Sequence, residues 1–212
     1  TVLHFARRLA RRSKGAFDPT VGPLTKLWRR AFRLQTFPAR ERILAARARV
    51  QWQDLKTASN DRVRLRRNGM QLDLGGVAKG YALDAVGEQL RQNGYRSYLI
   101  DGGGDLLLGE PPPGKPGWSV VTPTGENLGE LSEVAIATSG ATYRYLERDG
   151  VRYSHLIDPR TGYGVTGHEL VTVIAPTGMV ADALASTLSI SGDDAKLCRR
   201  YGASRKTIPA PK

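Results

Sequence analysis

Residues 62–80 read RVRLRRNGMQLDLGGVAKG, and the hydrophobic period changes within them. Asn68-Gly69 is flanked by Arg62–Arg67 and by Met70–Leu74. Asn-Gly between such runs is a strong short-range hairpin signal, because both residues accept the positive φ of a tight turn. Gly75-Gly76 then breaks the pattern, and from Val77 to Asn93 the apolar spacing is helical, with Gly94 as its stop. A local strand pair running straight into a helix points away from a doubly wound parallel sheet.

Working outward, Thr1–Ser13 reads as an amphipathic helix with Val2, Phe5, Ala6, Leu9 and Ala10 on one face, ended by Gly15. Further helices are expected at Pro23–Phe32 and from Pro38 to about Arg49. Downstream, strands are expected at Tyr95–Ile100, Leu106–Leu108, Trp118–Val121, Val134–Thr138, Thr142–Glu147, Val151–Ile157 and Leu170–Ala175. Asp149-Gly150 turns one pair, Pro111–Gly117 is a surface loop, and Met179–Ile190 is a helix with Thr177 as N-cap. Lys206–Lys212 reads as a polar tail. The expectation is an α+β fold, with a mixed, largely antiparallel sheet and packed helices, in a single domain over residues 1–212 with 95–165 as a candidate sub-domain.

At 212 residues and 40% hydrophobic the chain can bury a sizeable core. It holds no apolar run of about 18 residues, the length a membrane span requires. The lone Cys198 excludes an internal disulfide and a cysteine metal cluster. Thr1–Gly15 is basic and helical in pattern rather than a secretory leader. The net charge of +12 comes in part from Arg7-Arg8, Arg11-Arg12, Arg29-Arg30 and Arg64 with Arg66-Arg67. Such a balance suits nucleic acid, an anionic membrane surface or a phosphorylated ligand, and equally a solvated basic face. The arginines do not alternate with aromatics as on a single-strand stacking platform, so nucleic acid is not an expected partner.

Four segments carry chemical signals. In LDLGGVAKG a helix N-terminus, which attracts anions, receives Lys79 in its first turn. That charge opposes the helix dipole unless an anion sits beside it; otherwise the segment is a tight turn with a solvated lysine. It is no Walker motif, since the lysine precedes its glycine and no Ser or Thr follows. In ADALAS, Asp182 and Ser186 share one face of an apolar helix. A carboxylate with a hydroxyl there suits a hard cation such as magnesium, or else a carboxylate that eases the helix dipole. In HLIDPRTG, His155 precedes an Asp-Pro turn and is a structural hydrogen-bonding residue, a base or a ligand contact. In GAFDPTVGPL, Asp18 or Thr20 could cap the helix that starts near Pro23.

Taken in order, GAFDPTVGPLTKLW, LDLGGVAKGYALD, the GGGD turn, IATSG, YSHLIDPRTG and VTVIAP…ADALAS resemble the FAD:protein FMN transferases, formerly described as thiamine-biosynthesis lipoproteins. The likeness runs from Gly15 to Gly192. It departs from the family pattern at Ser186, where threonine is usual, and at Ala141, where an acidic or amide residue is common. The family carries a longer N-terminal portion with flavin contacts and a closing strand, neither evident here, so the chain is expected to be a truncated enzyme.

The resemblance implies magnesium held by Asp182, Ser186 and the Gly76 carbonyl. It implies FAD as substrate, contacted by Ala16, Phe17, Asp18, Asp73, Lys79, His155 and Leu156, with His155 as the base. The implied reaction transfers FMN from FAD to a Thr or Ser hydroxyl of another protein, releasing AMP. The implied acceptors are flavin-carrying subunits of membrane redox pumps, at the periplasmic face of the bacterial inner membrane. An FAD pyrophosphate hydrolase and a non-catalytic FAD-binding protein are the alternatives, separated by covalent flavin on the acceptor and by AMP release.

Overall fold

Residues 1–58, 62–140, 144–167 and 169–208 are described by a computed structural model. In chain order they form α1 (Val2–Arg12), α2 (Gly22–Leu34), α3 (Arg40–Arg47), a 3-10 turn at Trp52–Asp54, β1 (Leu55–Thr57), β2 (Val63–Leu65), α4 (Ala78–Gln92), β3 (Leu99–Asp101) and β4 (Leu106–Leu108). There follow β5 (Trp118–Val121), β6 (Asn127–Leu131), β7 (Ala135–Gly140), β8 (Tyr145–Arg148), β9 (Val151–Ser154), β10 (Leu170–Ala175), α5 (Gly178–Ser191), α6 (Ala195–Arg200) and β11 (Ser204–Ile208). The α+β expectation holds. The chain divides into two compact units, the first made of Thr1–Leu74, Gly140–His168 and Ser189–Gly192, the second of Gly75–Ser139, Glu169–Leu188 and Asp193–Lys212.

The first unit is built on helices. The apolar stripe of α1 buries Phe5, Ala6, Leu9 and Ala10, and the Gly15 N–H closes the helix on the Ala10 carbonyl at 2.9 Å. On α2, Leu24, Trp28, Ala31 and Phe32 pack with Ile43 of α3, Val50, Leu146 of β8 and Ile157. The Trp28 indole N–H finds the Gly162 carbonyl at 2.9 Å, so its one polar atom is satisfied inside that core. The β8–β9 hairpin turns on Asp149-Gly150, both at positive φ (53° and 73°), as the sequence suggests.

The Asn68-Gly69 hairpin is overturned. Gly69 does sit at φ 77°, but β2 pairs antiparallel with β1 on its N-terminal side, and Met70–Leu74 is not its partner. Instead Gln71 bridges in parallel to Val21, and the Gln71 carbonyl accepts the Gly22 N–H at 3.2 Å. The local turn signal is real; a distant segment claims the backbone groups that follow it. The helix-cap reading of Asp18 and Thr20 also fails. The N-cap of α2 is Val21, with no side-chain cap bond. Thr142, where a strand was expected to begin, lies outside the described residues.

The second unit centres on a five-stranded sheet of order β11-β10-β7-β4-β3. The pairs β3–β4, β4–β7 and β10–β11 are antiparallel. Leu108, Val120 and Ile136 form an apolar cluster extended by Trp118, Leu128 and Ile174. The strands β5 and β6 make a second hairpin with an irregularity between Val120 and Val121. The polar tail expected from Lys206 is corrected: Ser204–Ile208 pairs along β10 from Ile174 to Leu170. It forms an edge of the sheet, where a strand tolerates the charged residues that disguise it in sequence. The helix α6 is N-capped by Asp194, whose Oδ1 accepts the Leu197 N–H at 2.8 Å.

Candidate functional site

The N-terminal turns of α4 and α5 meet through glycine. A Cβ on Gly80 would lie 2.0 Å from the Gly178 carbonyl oxygen, and a Cβ on Gly178 would lie 2.5 Å from the Gly80 oxygen. Backbone thus touches backbone, and Asp182, one turn into α5, reaches across. Its Oδ2 accepts the Gly80 N–H at 3.0 Å, satisfying one of the free donors at the start of α4. Asp84 reaches the other way: its two oxygens accept the Gly178 and Met179 N–H groups at 2.5 and 2.9 Å. Thr177, as expected, adds a cap through its Oγ1 to the Val180 N–H at 3.3 Å.

The charges around this junction are incompletely balanced. Asp182 is 6% exposed, and burial raises its pKa from 3.8 to about 6. The Gly80 N–H opposes that rise, the neighbouring Asp105 carboxylate adds to it, and Lys79 opposes it. Asp105, 4% exposed at the foot of β4, is itself raised, chiefly by burial. Lys79, in the first turn of α4, places its Nζ 3.1 Å from Asp105 Oδ2. The anion that a first-turn lysine calls for is therefore supplied by the chain itself.

Gly76, Lys79, Asp182 and Ser186 all belong to the second unit. Gly76 lies in the turn that opens α4, and Ser186 is one helical turn beyond Asp182. Asp182 Oδ2 holds Gly80, and its other oxygen meets no donor among the described residues. A carboxylate, a hydroxyl and a carbonyl oxygen are the hard donors magnesium takes, with waters and phosphate completing its shell. Among the described residues no three His, Cys, Asp or Glu side chains converge. The buried, half-bonded, raised carboxylate is what an added cation would relieve, so these residues fit magnesium.

The other expected ligand contacts lie in the first unit. Ala16, Phe17 and Asp18 are all buried. The Asp18 carboxylate is occupied by the Thr20 N–H at 2.8 Å, the Thr20 hydroxyl at 2.6 Å and the Trp52 N–H at 3.1 Å. Burial raises its pKa despite these donors. The Asp73 N–H bonds the Pro19 carbonyl at 2.9 Å, which ties the two segments together. Its carboxylate takes the Thr25 hydroxyl at 2.6 Å and Arg29 at 2.9 Å. Asp73 also lines a basic cleft of about 460 Å³ with Lys26, Arg29, Arg30 and Arg33. His155 is exposed; desolvation lowers its pKa below 6.5, a hydrogen bond to the Arg144 backbone opposes this, and the Arg144 charge lowers it further. Leu156 follows it, its N–H bonded to Ser154 Oγ at 3.0 Å. Ala141 lies outside the described residues.

The family model for the ApbE family matches residues 1–204. The chain belongs to the ApbE family. It is 35% identical over 213 aligned residues to the FAD:protein FMN transferase of Haemophilus influenzae, covering 92% of this chain and 61% of that protein. The FAD:protein FMN transferase of Vibrio cholerae is 36% identical, with the same two coverages of 92% and 61%. The chain thus spans about 61% of the length of these curated relatives. Among solved structures, the apo flavinyl transferase ApbE of Pseudomonas stutzeri superposes with a TM-score of 0.84 at 33% identity, over 100% of this chain and 69% of that one. Two residues of this ApbE-family site escaped the sequence reading, Asp84 and Asp105. Both lie in quoted motifs, LDLGGVAKGYALD and the GGGD turn. A motif shows that a carboxylate is present but not which helix terminus or ammonium it meets.

Proposed function

We propose that this chain is the catalytic part of a magnesium-dependent flavin transferase, which moves the FMN half of FAD onto a Thr or Ser hydroxyl of an acceptor protein and releases AMP. The relatives' names support the flavin chemistry. The observation that carries the magnesium reading is the Asp182 carboxylate, buried at the meeting of two helix N-termini with one oxygen uncommitted among the described residues. That is a place for a cation and an anionic ligand together.

In the proposed reaction the acceptor oxygen attacks the phosphorus on the riboflavin side. The bond from that phosphorus to the bridging oxygen breaks, and AMP leaves with the bridging oxygen. Magnesium, when bound, supplies positive charge to the phosphate oxygens. Lys79 exchanges the Asp105 carboxylate for a pyrophosphate oxygen and neutralises charge that develops there. Asp182, Ser186 and the Gly76 carbonyl would hold the cation. His155, kept neutral at pH 7 by its lowered pKa, takes the hydroxyl proton on an imidazole nitrogen. Asp73 and the Ala16–Phe17–Asp18 segment contribute FAD contacts in this reading. The proposed acceptors are flavin-carrying subunits of membrane redox pumps at the periplasmic face of the bacterial inner membrane, on the strength of the family resemblance.

The test is incubation of the protein with FAD, magnesium and a candidate acceptor, followed by intact-mass analysis and AMP measurement. The acceptor gains the mass of one FMN, with one AMP released per modification. AMP with free FMN and an unmodified acceptor makes the protein a hydrolase instead. FAD retained without AMP makes it a binding protein.

A further inference from the structure

Gly80 and Asp84 lie one turn apart on α4, and Gly178 and Asp182 lie one turn apart on α5. The two pairs meet with crossed bonds: Asp182 to the Gly80 N–H, Asp84 to the N–H groups of Gly178 and Met179. The crossing is not symmetric in its consequences. Asp84 commits both oxygens to backbone donors. Asp182 commits Oδ2, and its other oxygen meets no donor among the described residues.

We propose that Asp84 is the positioning residue of the cation site: it pins the first turn of α5, and so the direction in which Asp182 presents its open oxygen. This rests on the reading of Asp182 as a metal ligand. The glycine contact sets how closely the helices approach, and the buried residues from Ala181 to Leu188 seat the body of α5, but both leave its first turn free to shift. Two charge-assisted bonds to successive N–H groups remove that freedom. They also satisfy donors at the α5 terminus that have no partner within the helix. Asp84 touches neither cation nor substrate in this arrangement. It acts as the outer partners of metal ligands do, by orienting the ligand.

The experiment measures magnesium binding directly, by calorimetry without FAD, in wild type and in Asp84→Asn, Asp84→Ala and Asp182→Ala. The Asn variant keeps the size of the side chain but turns an amide N–H toward a backbone N–H. Both Asp84 variants are expected to bind magnesium about tenfold or more weakly while retaining wild-type helix content by circular dichroism. Asp182→Ala is expected to abolish binding. If Asp182→Ala binds as wild type does, the metal reading itself fails. If only Asp182→Ala loses binding and both Asp84 variants match wild type, the positioning role is overturned. Should neither Asp84 variant fold, hydrogen exchange on the wild type decides. Coupling is reciprocal, so magnesium must raise the protection of the Gly178 and Met179 amides. Unchanged protection overturns the inference.

Discussion

Replacing Asp182 with Asn should stabilise the metal-free protein at alkaline pH. Burial is the first cause of the rise in the Asp182 pKa from 3.8 to about 6. A folded-state pKa above the unfolded value means that between those limits the folded chain holds the proton more tightly. Stability contributed by this group is therefore present at low pH and falls as pH rises through that window. The gap is about two units, and at about 1.36 kcal/mol per unit the ionised group costs the folded state roughly 3 kcal/mol once pH exceeds 7. The Asn side chain carries no charge and can still accept the Gly80 N–H. Urea unfolding of both metal-stripped proteins at pH 4, 6 and 8 measures the difference. The variant should gain on wild type by roughly 2–3 kcal/mol between pH 4 and pH 8. Magnesium at about a hundred times its Kd should then return roughly 2.7 kcal/mol to wild type and none to the variant. Parallel stability curves for the two proteins across this range would refute the buried, uncompensated charge.

Gly80→Ala should lose about 1–3 kcal/mol, because the new Cβ meets backbone rather than a side chain that can turn aside. Thermal melting should place it several degrees below wild type, while Gly167→Ala, whose Cβ meets open space, should melt as wild type does. Lys79→Ala should raise the KM for FAD, and Lys79→Glu should raise it more. A titration that found equal FAD affinity in all three proteins would leave Lys79 a mere partner of Asp105. The kcat–pH profile should show an acidic limb below pH 6.5 that disappears with His155→Asn, since a base with a lowered pKa loses function only when protonated at low pH. Retention of that limb in the variant assigns it to another group.

The elements legible in the sequence are those whose signal is local. The apolar stripe of α1, the Gly15 stop and the Asp149-Gly150 turn each act within a few residues, and all three appear where expected. Met70–Leu74 misled because its partner is Val21, far upstream. The strands β6 and β11 escaped for want of apolar alternation: Asn127–Leu131 carries a central glycine and a glutamate, and Ser204–Ile208 carries Arg205 and Lys206. In the site, Asp182 stood out as a carboxylate in an apolar helix. Asp84 did not, because the donors it satisfies lie 94 residues away and a half-exposed aspartate on a helix surface is unremarkable by itself. Asp105 likewise ends a glycine turn with no local partner, since only folding sets it against Lys79.

The contact between Gly80 and Gly178 also constrains how this chain can change over time. In most packed interfaces an enlarged side chain can be accommodated by a smaller one opposite, so two substitutions succeed where one fails. Here both partners are already the smallest residue, and the atoms in the way are carbonyl oxygens of the main chain. No compensating substitution exists at the facing position. Drift at either glycine must therefore wait for a displacement of the whole α5 segment, and with it of Asp182. Loss of the helix junction and loss of the candidate cation site should consequently occur as one evolutionary event rather than two.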